Sequence, residues 1–163
     1  MIKTGSGIIL TLILASLTLS GCGSTDGSNA AANAANTATS NSNSVRTNVE
    51  ELGMIVNVPY ESDECAFKEF PSQKKLVAVL RFPQNESNRL IADAEKIRPA
   101  QRLSVAPESW FPAELVAQSE TTGDDMLNGQ SYAANAFFQD QYNDGRITHI
   151  DQTDYFILEL SSK

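Results

Sequence analysis

Every aromatic side chain of this chain lies at or beyond Tyr60, and that placement decides where a core can form. Residues 23–44 use only Gly, Ser, Thr, Ala, Asn and one Asp. Without Leu, Ile, Val or an aromatic residue, such a stretch has nothing to bury against the entropy of its own ordering. It reads as a flexible linker with a random-coil span of roughly 25 Å. Its Ala-Ala-Asn-Ala-Ala portion has the composition of a transient helix. A packed core therefore has to come from about residue 49 onward, roughly 115 residues, which suffices for one domain.

The charge balance narrows the partners. The formal net charge is −8, from 12 basic and 20 acidic side chains. Such a surface is repelled by phosphate backbones and anionic lipid headgroups. No basic run with interleaved aromatics appears, so nucleic acid is not an expected partner.

The first 22 residues have a different logic. Lys3 supplies the one positive charge of a short leader, and Ile8–Leu19 is an apolar run broken only by Thr11, Ser16 and Thr18. Twelve helical residues reach about 18 Å, well short of a hydrocarbon core near 30 Å. The run reads as an export signal rather than a permanent span. It ends in Leu19-Ser20-Gly21-Cys22, which resembles the lipobox of bacterial lipoproteins: an apolar residue, two small residues, then Cys. The small side chains let the backbone enter a peptidase site, and the thiol is the nucleophile that takes a diacylglyceryl group.

The resemblance implies cleavage between Gly21 and Cys22, fatty acylation of Cys22, and a lipid bilayer as the partner of the acyl chains. More than one chain makes a stable anchor, since a single chain is marginal. Gly23 follows the cysteine. In a host with an outer membrane, the absence of Asp there permits outer-membrane sorting; otherwise the chain is expected at the cell surface. With Cys22 lipidated, Cys65 is left alone, either buried and inert or a free thiol. The chain thus divides into a signal peptide (1–21), a lipidated cysteine with its linker (22–44) and a single domain (45–163).

Within the domain, Met54–Val58 and Cys65–Phe70 read as short strands. Lys75–Phe82 is the clearest strand, nearly continuously apolar and bounded by Pro83, as a central strand would be. Asn85–Ile97 reads as the main helix, with Leu90, Ile91, Ala94 and Ile97 on one face, Asn85 or Ser87 as cap, and Pro99 beyond its end. Residues 104–118 predict short helical turns around Trp110 and Ala113–Val116, and residues 119–130 a loop. Ala133–Phe138, Arg146–Asp151 and Tyr155–Leu160 read as strands, with turns at Asn143-Asp144-Gly145 and Asp151–Asp154. This order predicts an α+β domain with one main helix packed on an antiparallel sheet.

Few residues point to chemistry. Residues 140–151 resemble part of an EF-hand calcium loop: Asp140 falls at position 1, Asp144 at 5, Gly145 at 6, Thr148 at 9 and Asp151 at 12. Tyr142 stands where a ligand is expected, and Asp151 is shorter than the usual bidentate Glu. A hairpin turning at Asp144-Gly145 accounts for the same residues. Glu120, Asp124, Asp125 and Asn128 form an acidic stretch that reads as solvated surface. His149 is the one histidine; a Cys65–His149 nucleophile pair lacks a third group, and His149 is expected to face solvent near Arg146 and Asp151. Trp110 and Phe111 are adjacent, so one of them is a candidate exposed anchor for a partner, unless both close the core.

No nucleophile elbow or phosphate loop is present, and neither a catalytic role nor a cofactor is expected. Three classes stay open. The first is a binding or assembly module of the cell envelope, with a protein or cell-wall partner met through Trp110 or Phe111. The second is a calcium-binding module using Asp140, Asp144 and Asp151. The third is a small envelope enzyme.

Overall fold

The computed structural model describes residues 44–163. The stretch expected to be a signal peptide, Cys22 and the expected linker up to residue 43 lie outside the described residues. The expected α+β architecture is the one found. Six strands form one sheet in the order β1-β2-β6-β5-β4-β3, and all neighbours run antiparallel. The strands are β1 (Glu64–Phe70), β2 (Lys75–Arg81), β3 (Gln101–Val105), β4 (Leu127–Ala133), β5 (Asp144–Ile150) and β6 (Tyr155–Ser161). The helices are α1 (Val49–Gly53), α2 (Gln84–Glu95) and α3 (Ala113–Thr122).

Strands β2 and β6 lie side by side at the centre, from Lys75 opposite Ser161 to Arg81 opposite Tyr155. Their near-continuous apolar runs follow from burial on both faces. Leu76, Leu80, Phe156, Leu158 and Leu160 point into the larger core, with Leu52 and Val56 from the α1 region and Leu90 and Ala94 from α2. Val77, Val79 and Ile157 point into a smaller core closed by Phe111 and by Leu115 of α3. The prediction of one packed helix is thus incomplete, since a two-sided sheet needs cover on each face.

Met54–Val58 is not a strand. Asn48 caps α1 with its side-chain oxygen, accepting from the Glu50 and Glu51 amides at 2.7 and 3.2 Å, and the Val56 amide donates to Leu52 O. Leu52 and Val56, four apart, are fully buried, so the apolar run follows a helical spacing. In α2, neither Asn85 nor Ser87 is the N-cap. Pro83 holds that position, and the Ser87 hydroxyl donates to Phe82 O at 3.3 Å. Ile97 falls beyond the helix and is 54% exposed, so the predicted apolar stripe ends at Ala94.

Strands β3 and β4 were not foreseen. The residues of β4 alternate in burial without being apolar: Leu127, Gly129 and Ser131 share the α3 face. A Cβ on Gly129 would stand 2.2 Å from His149 O, so the close approach of β5 excludes a larger residue there. Likewise α3 is a ten-residue helix ended by Gly123 at φ 81°, where separate turns were expected. Residues 133–138 are the end of β4 and a 3-10 turn that buries Phe137. The tight turn lies at Gln139–Tyr142, whose backbones bond reciprocally at 3.1 and 2.9 Å, rather than at Asn143-Asp144-Gly145. Asp144 and Gly145 already belong to β5.

Phe156 is fully buried and meets Phe82 edge-on with ring centroids 5.3 Å apart. Phe156→Ala should therefore cost about 3–5 kcal/mol in denaturant unfolding, as for other large core deletions. Gly145→Ala should cost more than about 1 kcal/mol. Its Cβ would lie 2.1 Å from Glu159 O, at a φ of +147°.

Candidate functional site

The residues singled out by spacing do not converge. Asp144 opens β5 and pairs with Lys163 at 3.3 Å, whereas Asp151 follows the other end of β5 and is gripped by Arg102, one of the two contacts measuring 2.9 Å. The strand between them spans roughly 23 Å, while a calcium ion gathers its oxygens within 2.3–2.6 Å. Asp140 sits in the Gln139–Tyr142 turn at φ 47°. The calcium-loop reading is therefore corrected: β5 is extended where an EF-hand loop must coil round its ion. Among the described residues no three His, Cys, Asp or Glu side chains are grouped to hold a metal. In the acidic stretch, Asp124 caps the Met126 amide at 3.2 Å and Asn128 accepts from the Ser104 hydroxyl at 2.6 Å.

Phe111 is buried and cannot anchor a partner. Trp110 is half-buried, meets Phe111 edge-on at 4.7 Å, and donates through Nε1 to Glu108 at 2.7 Å. Together they close the end of the smaller core. His149 does not stand free in solvent. Its ring stacks on Phe156 at 4.5 Å, and Nε2 lies 2.8 Å from Thr153 O. Cys65, Leu80, Phe156 and His149 form one row across β1, β2, β6 and β5. Three strand spacings, roughly 14 Å, thus separate the thiol from the imidazole, and they form no nucleophile pair.

A different place has the shape of a site, on the β1 edge. Arg46 exchanges both backbone hydrogen bonds with Phe67, at 2.9 and 2.8 Å. Phe67 therefore turns its N–H and C=O outward, and by the alternation of a strand so does Cys65. Asn48 then starts α1, which stays packed beside β1. No described residue takes the Cys65 N–H or C=O. Beside this contact a cavity of about 480 Å³ opens. Ala66 and Val79 form its floor, Pro112 and Tyr155 one wall, Thr47 and Val49 the other.

The rim is polar and mostly acidic. Tyr155 donates to Glu64 at 2.9 Å, and Arg81 pairs with the other Glu64 oxygen at 2.7 Å. Burial raises the pKa of the Tyr155 hydroxyl, and the charges of Glu64 and Glu114 raise it further. Asp63 completes the rim beside Ser62, whose enclosed hydroxyl has no partner among the described residues. No spacing rule could have found this groove, because its parts come from the entering chain and α1, from β1, β2 and β6, and from the start of α3.

A second charged group lies at the far end of the same face. Glu159 of β6 accepts from Lys75 of β2 at 3.0 Å and from Arg146 of β5 at 2.6 Å. Burial pushes its pKa up, but the hydrogen bonds and charges of Arg146 and Lys75 outweigh burial and hold it below the ordinary carboxylate value. The three side chains link three neighbouring strands.

Comparison with protein-family models, curated proteins and solved structures finds no match to this chain.

Two outcomes follow from these groups. A carboxylate with a lowered folded-state pKa stabilises the fold above its unfolded pKa and loses that contribution as pH falls through the folded one. Glu159→Gln should thus reduce stability at pH 7 and flatten its decline below about pH 4.5, read from denaturant midpoints across pH. Burial lifts the Cys65 thiol to about 11, so at pH 8 it should resist an aromatic disulfide reagent until the protein is unfolded.

Proposed function

We propose that this chain is a lipoprotein of a bacterial cell envelope whose residues 45–163 serve as a binding or assembly module. In this reading the precursor is cut between Gly21 and Cys22, and acyl chains on Cys22 hold the module at a membrane surface. The observation that carries it is Leu19-Ser20-Gly21-Cys22 at the end of the Ile8–Leu19 run. Gly23, in place of Asp, then permits outer-membrane sorting in a host that has an outer membrane. Among the described residues no helix is long and apolar enough to cross a membrane. Cys65 is buried and free, in keeping with a Cys22 sulfur committed to lipid.

A binding role rather than a catalytic one is supported by the apolar, acid-rimmed groove beside β1. The same acidity argues against nucleic acid as the partner.

Metabolic labelling with a radioactive fatty acid in a bacterial host tests the anchor. The wild-type chain should carry label and sediment with membranes. Cys22→Ala should lose both, and label retained on that variant would overturn the reading.

A further inference from the structure

We propose that the outer edge of β3 pairs antiparallel with β3 of a second copy of this chain, joining two six-stranded sheets across a twofold axis at Leu103. The proposal rests on reading residues 45–163 as an assembly module, and it names the partner.

β3 closes the sheet on the side opposite β1. Its strand neighbour is β4, from Gln101 opposite Ser131 to Val105 opposite Leu127. The next ladder fixes where each backbone group points. The Asp151 amide donates to Asn128 O at 3.0 Å, so Asn128 turns its N–H and C=O toward β5. By alternation Leu127, Gly129 and Ser131 turn theirs toward β3, where they meet Val105, Leu103 and Gln101. Arg102 and Ser104 therefore point their N–H and C=O away from the sheet. Both residues are exposed, and no described backbone group bonds to either. Arg46, where the chain joins the sheet, lies at the opposite edge beside Phe67. Two copies paired at β3 thus keep their entering chains at the two far edges.

The strand complements itself in one register. With Leu103 opposite Leu103, Arg102 faces Ser104 of the second copy and Ser104 faces Arg102, so every outward group of both residues is paired. The half-buried Leu103 side chains then form an apolar cross-strand pair. Of the neighbouring registers, one sets Arg102 against Arg102, a like-charge contact. The other pairs Arg102 with Ala106, beyond the end of β3.

Charge favours the same arrangement. No carboxylate lies between Glu95 and Glu108, a span that holds Lys96, Arg98 and Arg102. Arg98 stands at the Gln101 end of β3, donating to Tyr132 O at 3.5 Å. Asp124 and Asp125 lie just before β4, which starts opposite Val105. An antiparallel pair brings the basic end of each copy to the acidic end of the other, twice over. A five-residue edge is smaller than the roughly 1,000 Å² of a stable interface. The pairing is accordingly weak between dilute copies and is favoured where copies are held together.

The test is disulfide trapping in the full chain carrying Cys22→Ala, purified in detergent at submillimolar concentration, so that neither lipid nor a Cys22 thiol takes part. Cys65 is buried. Residues opposite in a non-hydrogen-bonded pair have Cα atoms about 4.5 Å apart, whereas diagonal residues stand about 7–8 Å apart, beyond the reach of a disulfide. Under mild oxidation Leu103→Cys should form a disulfide dimer at least about tenfold faster than Arg102→Cys. Adding Ser104→Pro, which removes an outward N–H and spares the β4 ladder, should abolish trapping. Adding Ser104→Lys instead, which sets a cation against Arg102 of the second copy, should slow it severalfold. Thermal midpoints are measured alongside, and the exposed lysine change keeps the test valid if the proline variant unfolds.

No dimer, equal trapping of Leu103→Cys and Arg102→Cys, or undiminished trapping in a folded Ser104→Pro protein would each overturn the proposal. So would Leu103→Cys joining only to a different protein in whole cells. Trapping in Cys22→Ala protein needs no lipid. Loss of fatty-acid label and loss of trapping therefore report separately on the anchor and on the β3 edge.

Discussion

The pairing of β2 with β6 holds the domain together, because it joins the first part of the fold to the last and is buried on both faces. Each residue there faces a rung partner and a layer of side chains. Leu80 and Phe156 sit opposite one another toward α2, while Val79 and Ile157 sit opposite one another toward α3. A sheet with an apolar centre on both sides has to be covered twice. The positions of α2 and α3 answer that demand, as does Leu52 tucked under the larger core.

The charges of the sheet are organised by strand neighbours. Glu64 of β1 meets Arg81 of β2, and Glu159 of β6 meets Lys75 of β2 and Arg146 of β5. Arg46 joins Glu69, whose other oxygen accepts from Tyr142 at 3.1 Å. Arg46 also lies over the Phe67 ring at 4.4 Å. It thereby fastens the chain to the β1 edge at the point where it enters the sheet. Of these pairs only Glu64–Arg81 is exposed on both sides and adds little stability; the others are partly buried, and all link neighbouring segments of the sheet. Part of the acid surplus rims the groove beside Cys65.

The legible parts of the fold were those whose signal is local and strong. Lys75–Phe82 is apolar enough to be recognised as a central strand, Tyr155–Leu160 shows a strand with one apolar face, and Leu90 with Ala94 marks the buried face of α2. Cys65–Phe70 and Arg146–Asp151 also lie on strands that formed within a residue or two of their expected ends. The failures have a common cause. β3 and β4 carry Gln, Arg, Ser, Asn and Gly, and they are strands because neighbouring backbones pair with them. Met54–Val58 resembled a strand by composition but was drawn into a helical turn by the Asn48 cap. Asp140, Asp144 and Asp151 matched a spacing whose meaning depends on the loop being coiled, and the β5–β6 ladder holds it extended.

From the sequence alone come the α+β class, the central strand at Lys75–Phe82 and the acidic character of the chain. These depend on composition and short-range period, which any single chain displays. The groove on the β1 edge was decided only by tertiary structure. Ala66, Val79, Tyr155 and Pro112 are distant in sequence, and each taken alone is an ordinary core or loop residue. They meet because β2 pairs with β1 on one side and with β6 on the other, and those pairings leave no mark in the spacing of the residues involved.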